Sequence, residues 1–201
     1  MKKLLILSLL ILPLSIFAQQ GFLFDANKQL SSSFVNQVYN DNDGFIWIST
    51  RNGLNKYDGY QFHIFRKEVS ADMGMASNYV NCIMQDSRGT FFVGMYGALQ
   101  SFNGYHFQDI QVYDLQNRIM PPYVTCLLER HNGDVIIGTS GHGLLRLTDA
   151  KKARQVGGAL ADIVGVRQMT EDSQNRLWIV TEEQGLVCFD GKKTTRYFQE
   201  D

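Results

Sequence analysis

Three observations predict an all-β protein. A block of 42 to 45 residues recurs four times, each copy is divided by Gly, Asn and Asp turn signals into short runs, and helical spacing is absent beyond the first eighteen residues. The repeat is plainest in "DNDGFIWISTRNGLNKYDG" (41–59), and it returns as "DSRGTFFVGMYGALQSFNG" (86–104), "RHNGDVIIGTSGHGLLRLTD" (130–149) and "DSQNRLWIVTEEQGLVCFDG" (172–191). A turn column falls at Gly44, Gly89, Gly133 and Asn175, and a bulky column at Trp47, Phe92, Ile136 and Trp178, both spaced 45, 44 and 42. A second turn glycine recurs at Gly53, Gly97, Gly143 and Gly185.

Each copy reads as four strands. The first is the run "FVNQVY" (34–39), matched by "YVNCIM" (79–84), "YVTCLL" (123–128) and "VGVRQM" (164–169). Asp43-Gly44 turns it back, since both residue types tolerate positive φ. The second strand, 45–50, is continuously apolar, as in a strand buried on both faces. Asn52-Gly53 leads to the third at 54–57, and Asp58-Gly59 to the fourth at 60–65, with Tyr60, Phe62 and Ile64 alternating with Gln61 and His63. Four antiparallel strands recurring at this period are the signature of β-propeller blades, because a lone four-stranded sheet cannot cover both its faces. The Trp47 column is therefore expected between blades.

The chain opens with a basic n-region, Lys2 and Lys3, a fourteen-residue apolar run from 4 to 17, and Ala18. That is the pattern of a secretory signal peptide. A membrane anchor competes, but Pro13 interrupts the run and Gln19 and Gln20 end it short of the roughly 20 apolar residues of a span. The expected organisation is a signal peptide at 1–18, a closing strand (22–24) and lead-in at 19–32, and blades at 33–77, 78–121, 122–162 and 163–201. The closing strand and the four-blade count predict part of a larger ring, of roughly seven or eight blades, since an open arc leaves two sticky flanks.

Without Lys2 and Lys3 there are 17 basic against 20 acidic residues, a formal charge of −3, with no basic cluster to recruit nucleic acid. Cys82, Cys126 and Cys188 are an odd set without a C-x-x-C pair, expected as small buried hydrophobes. Cys82 and Cys126 share a column with Gln37 and Gln168, which no metal ligand would. His63, His106, His131 and His142 fall in different columns and lack ligand spacing, so no metal or cofactor is expected. Asp41, Asp86 and Asp172 share a column before a turn, where a carboxylate accepts backbone N–H groups, and "GTSGHG" (138–143) lacks the Lys and helix of a phosphate loop.

The loops between second and third strands break the repeat most. They carry Arg51 and Asn52, Tyr96, His142, and Glu182, Glu183 and Gln184, which have no common structural requirement and form the candidate ligand site at one mouth of the ring. Polar and aromatic groups there suit a sugar.

The first copy, with Asp41, Gly44, Ile46, Trp47, Ile48, Thr50, Gly53, Leu54, Tyr57, Asp58 and Gly59, resembles the two-component regulator propeller repeat. That repeat forms the N-terminal periplasmic sensor region of Bacteroidetes hybrid two-component histidine kinases. The second copy departs with Phe92, and the third with Ile136 and with Thr148-Asp149-Ala150 at its last turn. The resemblance implies a periplasmic sensor that recognises oligosaccharides and signals to a kinase, anchored in the inner membrane in a full-length relative and without catalysis in this region. Its partners would be an oligosaccharide, the remaining blades and kinase, and a second copy in a homodimer. The alternatives are a secreted propeller scaffold or a propeller enzyme, a lyase or glycosidase.

Overall fold

The structure, a computed structural model, describes residues 29–68 and 74–197. The expected signal peptide, the closing strand at 22–24 and Phe198 lie outside the described residues. Four antiparallel sheets follow one another along the chain. The first holds β1 (Val35–Asn40), β2 (Ile46–Thr50), β3 (Gly53–Tyr57) and β4 (Phe62–Phe65), and the second β5 (Val80–Gln85), β6 (Phe91–Met95), β7 (Leu99–Phe102) and β8 (Phe107–Asp109). The segment β9 (Gln111–Tyr113) then crosses to the third sheet, β10 (Val124–Glu129), β11 (Val135–Thr139), β12 (Leu144–Asp149) and β13 (Lys152–Gln155), where it pairs parallel with β13 as a fifth strand. The fourth sheet is β14 (Val166–Glu171), β15 (Leu177–Thr181), β16 (Leu186–Phe189) and β17 (Thr194–Tyr197). The first strands β1, β5, β10 and β14 stand side by side as the inner edge of the four blades.

The turn column explains itself in the backbone. Gly44, Gly89, Gly133 and Asn175 all hold positive φ, from 61 to 86°, a region only Gly and Asn enter readily. The Asp before three of these turns closes the loop. Asp41 Oδ1 accepts the N–H groups of Asp43 and Phe45 at 3.0 and 2.9 Å, and Asp172 Oδ1 those of Gln174 and Arg176 at 2.9 and 3.0 Å.

Apolar clusters lie between consecutive blades. Trp47, 2% exposed, sits between blades 1 and 2, packed against Phe91, Phe65 and Phe102 with ring centroids 4.5 to 5.8 Å apart. The next interface gathers Phe92, Leu99, Val124 and Ile137, and the third Ile136, Leu144, Leu177 and Ile179. In the fourth strand of blade 1 the alternation differs from the expected one: Tyr60 lies in the turn and is exposed, and Ile64 is exposed as well. Ile64 belongs to the face of blade 1 turned away from blade 2, which no described blade covers.

Two polar ladders bind the inner strands. Each inner strand bulges at its second residue, and a bulge re-aims the side chain it carries. Asn36 Nδ2 donates to the Val80 carbonyl (2.7 Å), Asn81 Nδ2 to that of Val124 (2.7 Å) and Thr125 Oγ1 to that of Val166 (2.6 Å). At the other end, the last residues of β5, β10 and β14 reach back. Gln85 Oε1 accepts the Asn42 N–H, Glu129 that of Ser87 and Glu171 that of His131, at 2.6 to 2.9 Å. Identical positions therefore clasp the next blade at one end and the previous blade at the other.

The cysteine column is a packing device. Cys82 and Cys126 pair across the sheet with Gly94 and Gly138, where the other blades place Ser49 and Val180 opposite Gln37 and Gln168. A Cβ on Gly94 would lie 2.5 Å from both Cys82 Sγ and Val124 Cγ1. The thiol occupies space that the glycine vacates. All three cysteines are free, Cys82 and Cys188 being buried.

Candidate functional site

At the end of the blades that carries the second-to-third strand loops, one backbone contact is repeated four times. The N–H of the residue after the second strand donates to the carbonyl of the residue before the first strand: Arg51 to Phe34, Tyr96 to Tyr79, Ser140 to Tyr123 and Glu182 to Gly165, at 2.7 to 3.1 Å. In the first three blades each contact brings two side chains to this end of the inner strands, whereas the fourth brings only that of Glu182, since Gly165 has none. Of these, Phe34, Arg51, Tyr79, Tyr96 and Tyr123 form one cluster.

Arg51 places its guanidinium 4.8 Å from the Phe34 ring centroid and 5.8 Å from that of Tyr79, within the range of cation–π attraction. Tyr96 meets Tyr123 with centroids 5.0 Å apart and Tyr79 at 6.4 Å, while Tyr79 and Tyr123 are 6.5 Å apart. Tyr96 is 61% exposed and Phe34 equally so, whereas Tyr79 and Tyr123 are half-buried. Burial pushes the Tyr123 phenol above its ordinary value, the neighbouring Tyr79 phenol adds to this, and Arg51 opposes it. The cluster thus offers stacking faces, phenol hydroxyls that donate and accept, and one fixed cation.

The candidate residues separate by role. Arg51 and Tyr96 come together around Tyr79. Asn52 braces its own loop, with its N–H on Thr50 Oγ1 and its Nδ2 on the Ser31 carbonyl. His142 takes the corresponding bracing position on Thr139 Oγ1 (3.0 Å), and Gln184 does so on Thr181 Oγ1 (2.9 Å) while its amide binds the backbone of Asp162 and Val164. Glu182 faces Arg167 at 3.7 Å, apart from the aromatic cluster, and Glu183 is exposed. Phe34, Tyr79 and Tyr123 were not among the residues singled out from the sequence. Their signal was present, an aromatic heading three of the four inner strands, but it reads as packing until the exposure is known. No group of three or more His, Cys, Asp or Glu side chains that could hold a metal is found among the described residues.

Residues 29–52 and 74–97 match the model of the two component regulator propeller, each segment running from the lead-in through the first two strands of a blade. The fold is that of β-propeller blades, and the two matched segments are similar to two-component regulator propeller repeats. Among solved structures it is similar to the extracellular domain of BT3049 from B. thetaiotaomicron, described as a hybrid two component system, at 21% identity and a TM-score of 0.75, covering 88% of this chain and 26% of that one. It is also similar to PorZ, a surface component of the type-IX secretion system of Porphyromonas gingivalis, at 17% identity and a TM-score of 0.62, covering 87% and 29%. Virginiamycin B lyase from Staphylococcus aureus shares the fold at 17% identity and a TM-score of 0.56, covering 82% and 55%. The chain thus spans about a quarter of the length of the extracellular domains it matches. No curated protein matches the sequence.

Proposed function

We propose that this chain forms blades of an exported sensor propeller, and that its mouth cluster takes part in recognising an oligosaccharide and passing the signal to a histidine kinase. The observation that carries the reading is the group Arg51, Phe34, Tyr79, Tyr96 and Tyr123. Exposed aromatic rings cost solvation unless something covers them, and these are gathered by backbone contacts at one mouth rather than scattered. Sugar rings present apolar C–H faces to aromatic rings and hydroxyls to phenols and guanidinium. The match to two-component regulator propeller repeats and the similarity to an extracellular domain of a B. thetaiotaomicron hybrid two component system support the sensor setting.

Further blades flanking these four are part of the proposal. Val38 is 62% exposed on the outer face of blade 1, while Ile83, its counterpart in blade 2, is 1% exposed because blade 1 covers it. Val180 and Tyr197 are likewise exposed on the far face of blade 4. In a closed ring both faces would be covered by neighbouring blades.

Calorimetric titration of the full extracellular region against a panel of oligosaccharides tests the site. Tyr96→Ala and Arg51→Ala are expected to weaken the sugar that binds by about tenfold each, the scale of one good stacking or charged contact. Unchanged affinity in both variants removes the mouth cluster as the site.

A further inference from the structure

The third repeat differs from the others in both members of its most regular pair. Arg130 stands in the Asp column and Ile136 in the Trp column. Between blades 1 and 2 the Trp47 indole fills the interface. Between blades 3 and 4, where Ile136 stands in the indole's column, lies a cleft of about 380 Å³ whose apolar floor is Ile136, Leu144, Leu160, Leu177 and Phe189.

The rim of this cleft is basic. The row that crosses blade 3 from Ile136 continues to Arg146 and then Arg154, direct partners on β11, β12 and β13; the same row in blade 1 is Trp47, Lys56 and His63. Arg146 and Arg154 are thus opposite each other on neighbouring strands, side chains on one face, where Cβ atoms sit about 5 Å apart and like charges destabilise the pair. Arg154 is held from outside, with Nη1 on Asn117 Oδ1 at 2.7 Å and its guanidinium 5.2 Å from the Tyr113 ring centroid. Arg146 makes no ion pair or hydrogen bond among the described residues. Arg130, on the opposite rim, is committed to Glu171 at 2.6 Å and to the Asn175 carbonyl at 2.9 Å. The carboxylate of the lining is Asp134, which accepts from Asn132 Nδ2 at 3.0 Å.

We propose that the cleft between blades 3 and 4 binds a small amphipathic anion, a carboxylate, sulfate or phosphate carried on an apolar ring. The anionic group lies between Arg146 and Arg154 and relieves their repulsion, and the ring enters the space that an indole fills in blade 1. Planar guanidinium groups suit such oxyanions because they offer two parallel N–H donors. Size and charge together select the class: a neutral ring leaves the arginine pair unrelieved, and an inorganic anion leaves the apolar floor wet.

The probe is 1-naphthalenesulfonate, titrated calorimetrically into the full chain, with 1-naphthalenemethanol as its neutral counterpart. Saturable binding at one site is expected, with the alcohol and the Arg146→Gln variant each about tenfold weaker. Ile136→Trp is expected to abolish binding by filling the cleft with an indole, as Trp47 fills the interface of blades 1 and 2. Because Arg146 is exposed, its variant folds and keeps the test decisive even if the tryptophan disturbs the interface. Equal affinity for the alcohol, or wild-type affinity in Arg146→Gln, overturns the proposal. Loss of probe binding in Tyr96→Ala would also do so, by moving the ligand to the channel mouth.

Discussion

The indole N–H of Trp47 donates to Asp41 Oδ2 at 2.7 Å, six residues back across the turn. Trp178 donates in the same way to Asp172 Oδ2 at 2.8 Å. One carboxylate thus closes a turn with one oxygen and satisfies a buried indole with the other. Where the Trp is Phe92, the free oxygen of Asp86 binds the Arg88 guanidinium instead, at 2.9 Å. Where the Trp is Ile136, the Asp has gone too, and Arg130 pairs with Glu171 of the next blade. In the third repeat both members of the pair are replaced, whereas in the second the Asp stays and takes an arginine as its partner.

Replacing Asp41 by Ala leaves a buried indole N–H and two turn amides without their acceptor. The expected loss is about 2–3 kcal/mol, set by the cost of orphaned buried donors. Trp47→Ala is expected to cost about 3–5 kcal/mol through the cavity it opens between blades. The double variant should be less destabilised than the two losses combined, by about 1 kcal/mol, since the carboxylate has no indole left to serve. Urea denaturation of the four proteins measures this, and strict additivity would show that the pair is not coupled.

Gly94→Ala is expected to destabilise by about 1–3 kcal/mol. The cause is steric, because the added methyl would overlap Cys82 Sγ and Val124 Cγ1. Shrinking the thiol in Cys82→Ala/Gly94→Ala should recover part of the loss, and the methyl of Val124 should hold the remainder. Thermal melts of the single and double variants decide it; no recovery would mean that Val124 alone sets the limit.

Much of this was legible because a propeller writes its fold repeatedly. Four copies exposed the turn column, the Trp column and the interchange of Cys with Gln, and each has a plain physical cause: positive φ, interface packing, and a glycine opposite the thiol. The inter-blade ladders were not legible, since Asn36, Asn81 and Thr125 acquire their role only when a bulge turns them toward a neighbouring carbonyl. Nor was the path of β9, which leaves one blade to edge the next. At the mouth, Arg51 and Tyr96 were read from broken repetition, but Phe34, Tyr79 and Tyr123 were hidden by their regularity. Exposure, which separates a packed aromatic column from an accessible one, depends on what neighbouring blades cover.

Burial raises the Cys82 thiol well above its ordinary value, and burial pushes Cys126 up to about 11. Neither thiol supplies an appreciable thiolate at neutral pH, and the thiolate is the nucleophile. Iodoacetamide at pH 8 should therefore leave both unmodified in the folded protein and label them once urea unfolds it. Mass spectrometry of peptides from the two states reads the result, and labelling of Cys82 under native conditions would contradict the blade packing.

Acid should unfold the protein through its turn carboxylates. Asp58 is held down to about 2, chiefly by the backbone N–H groups of Gln61 and Tyr60. Asp172 is held lower still, first by the Trp178 indole and then by the Arg176 amide and guanidinium, against the opposing effect of burial. Both values are depressed relative to the unfolded chain, where an Asp titrates near about 3.9. Their contribution is thus complete above that value and is lost as pH falls through the folded values. Stability should be flat in these groups from pH 7 to about 5 and should fall below about 4. Asp114, Glu171 and Asp190 are also lowered and steepen the same fall. Asp172→Asn should be less stable than wild type at pH 7, lose stability less steeply below pH 4, and approach wild type as pH nears 2. Urea midpoints measured across that range check it, and parallel curves for the two proteins would show that the Asp172 carboxylate is not a source of the acid sensitivity.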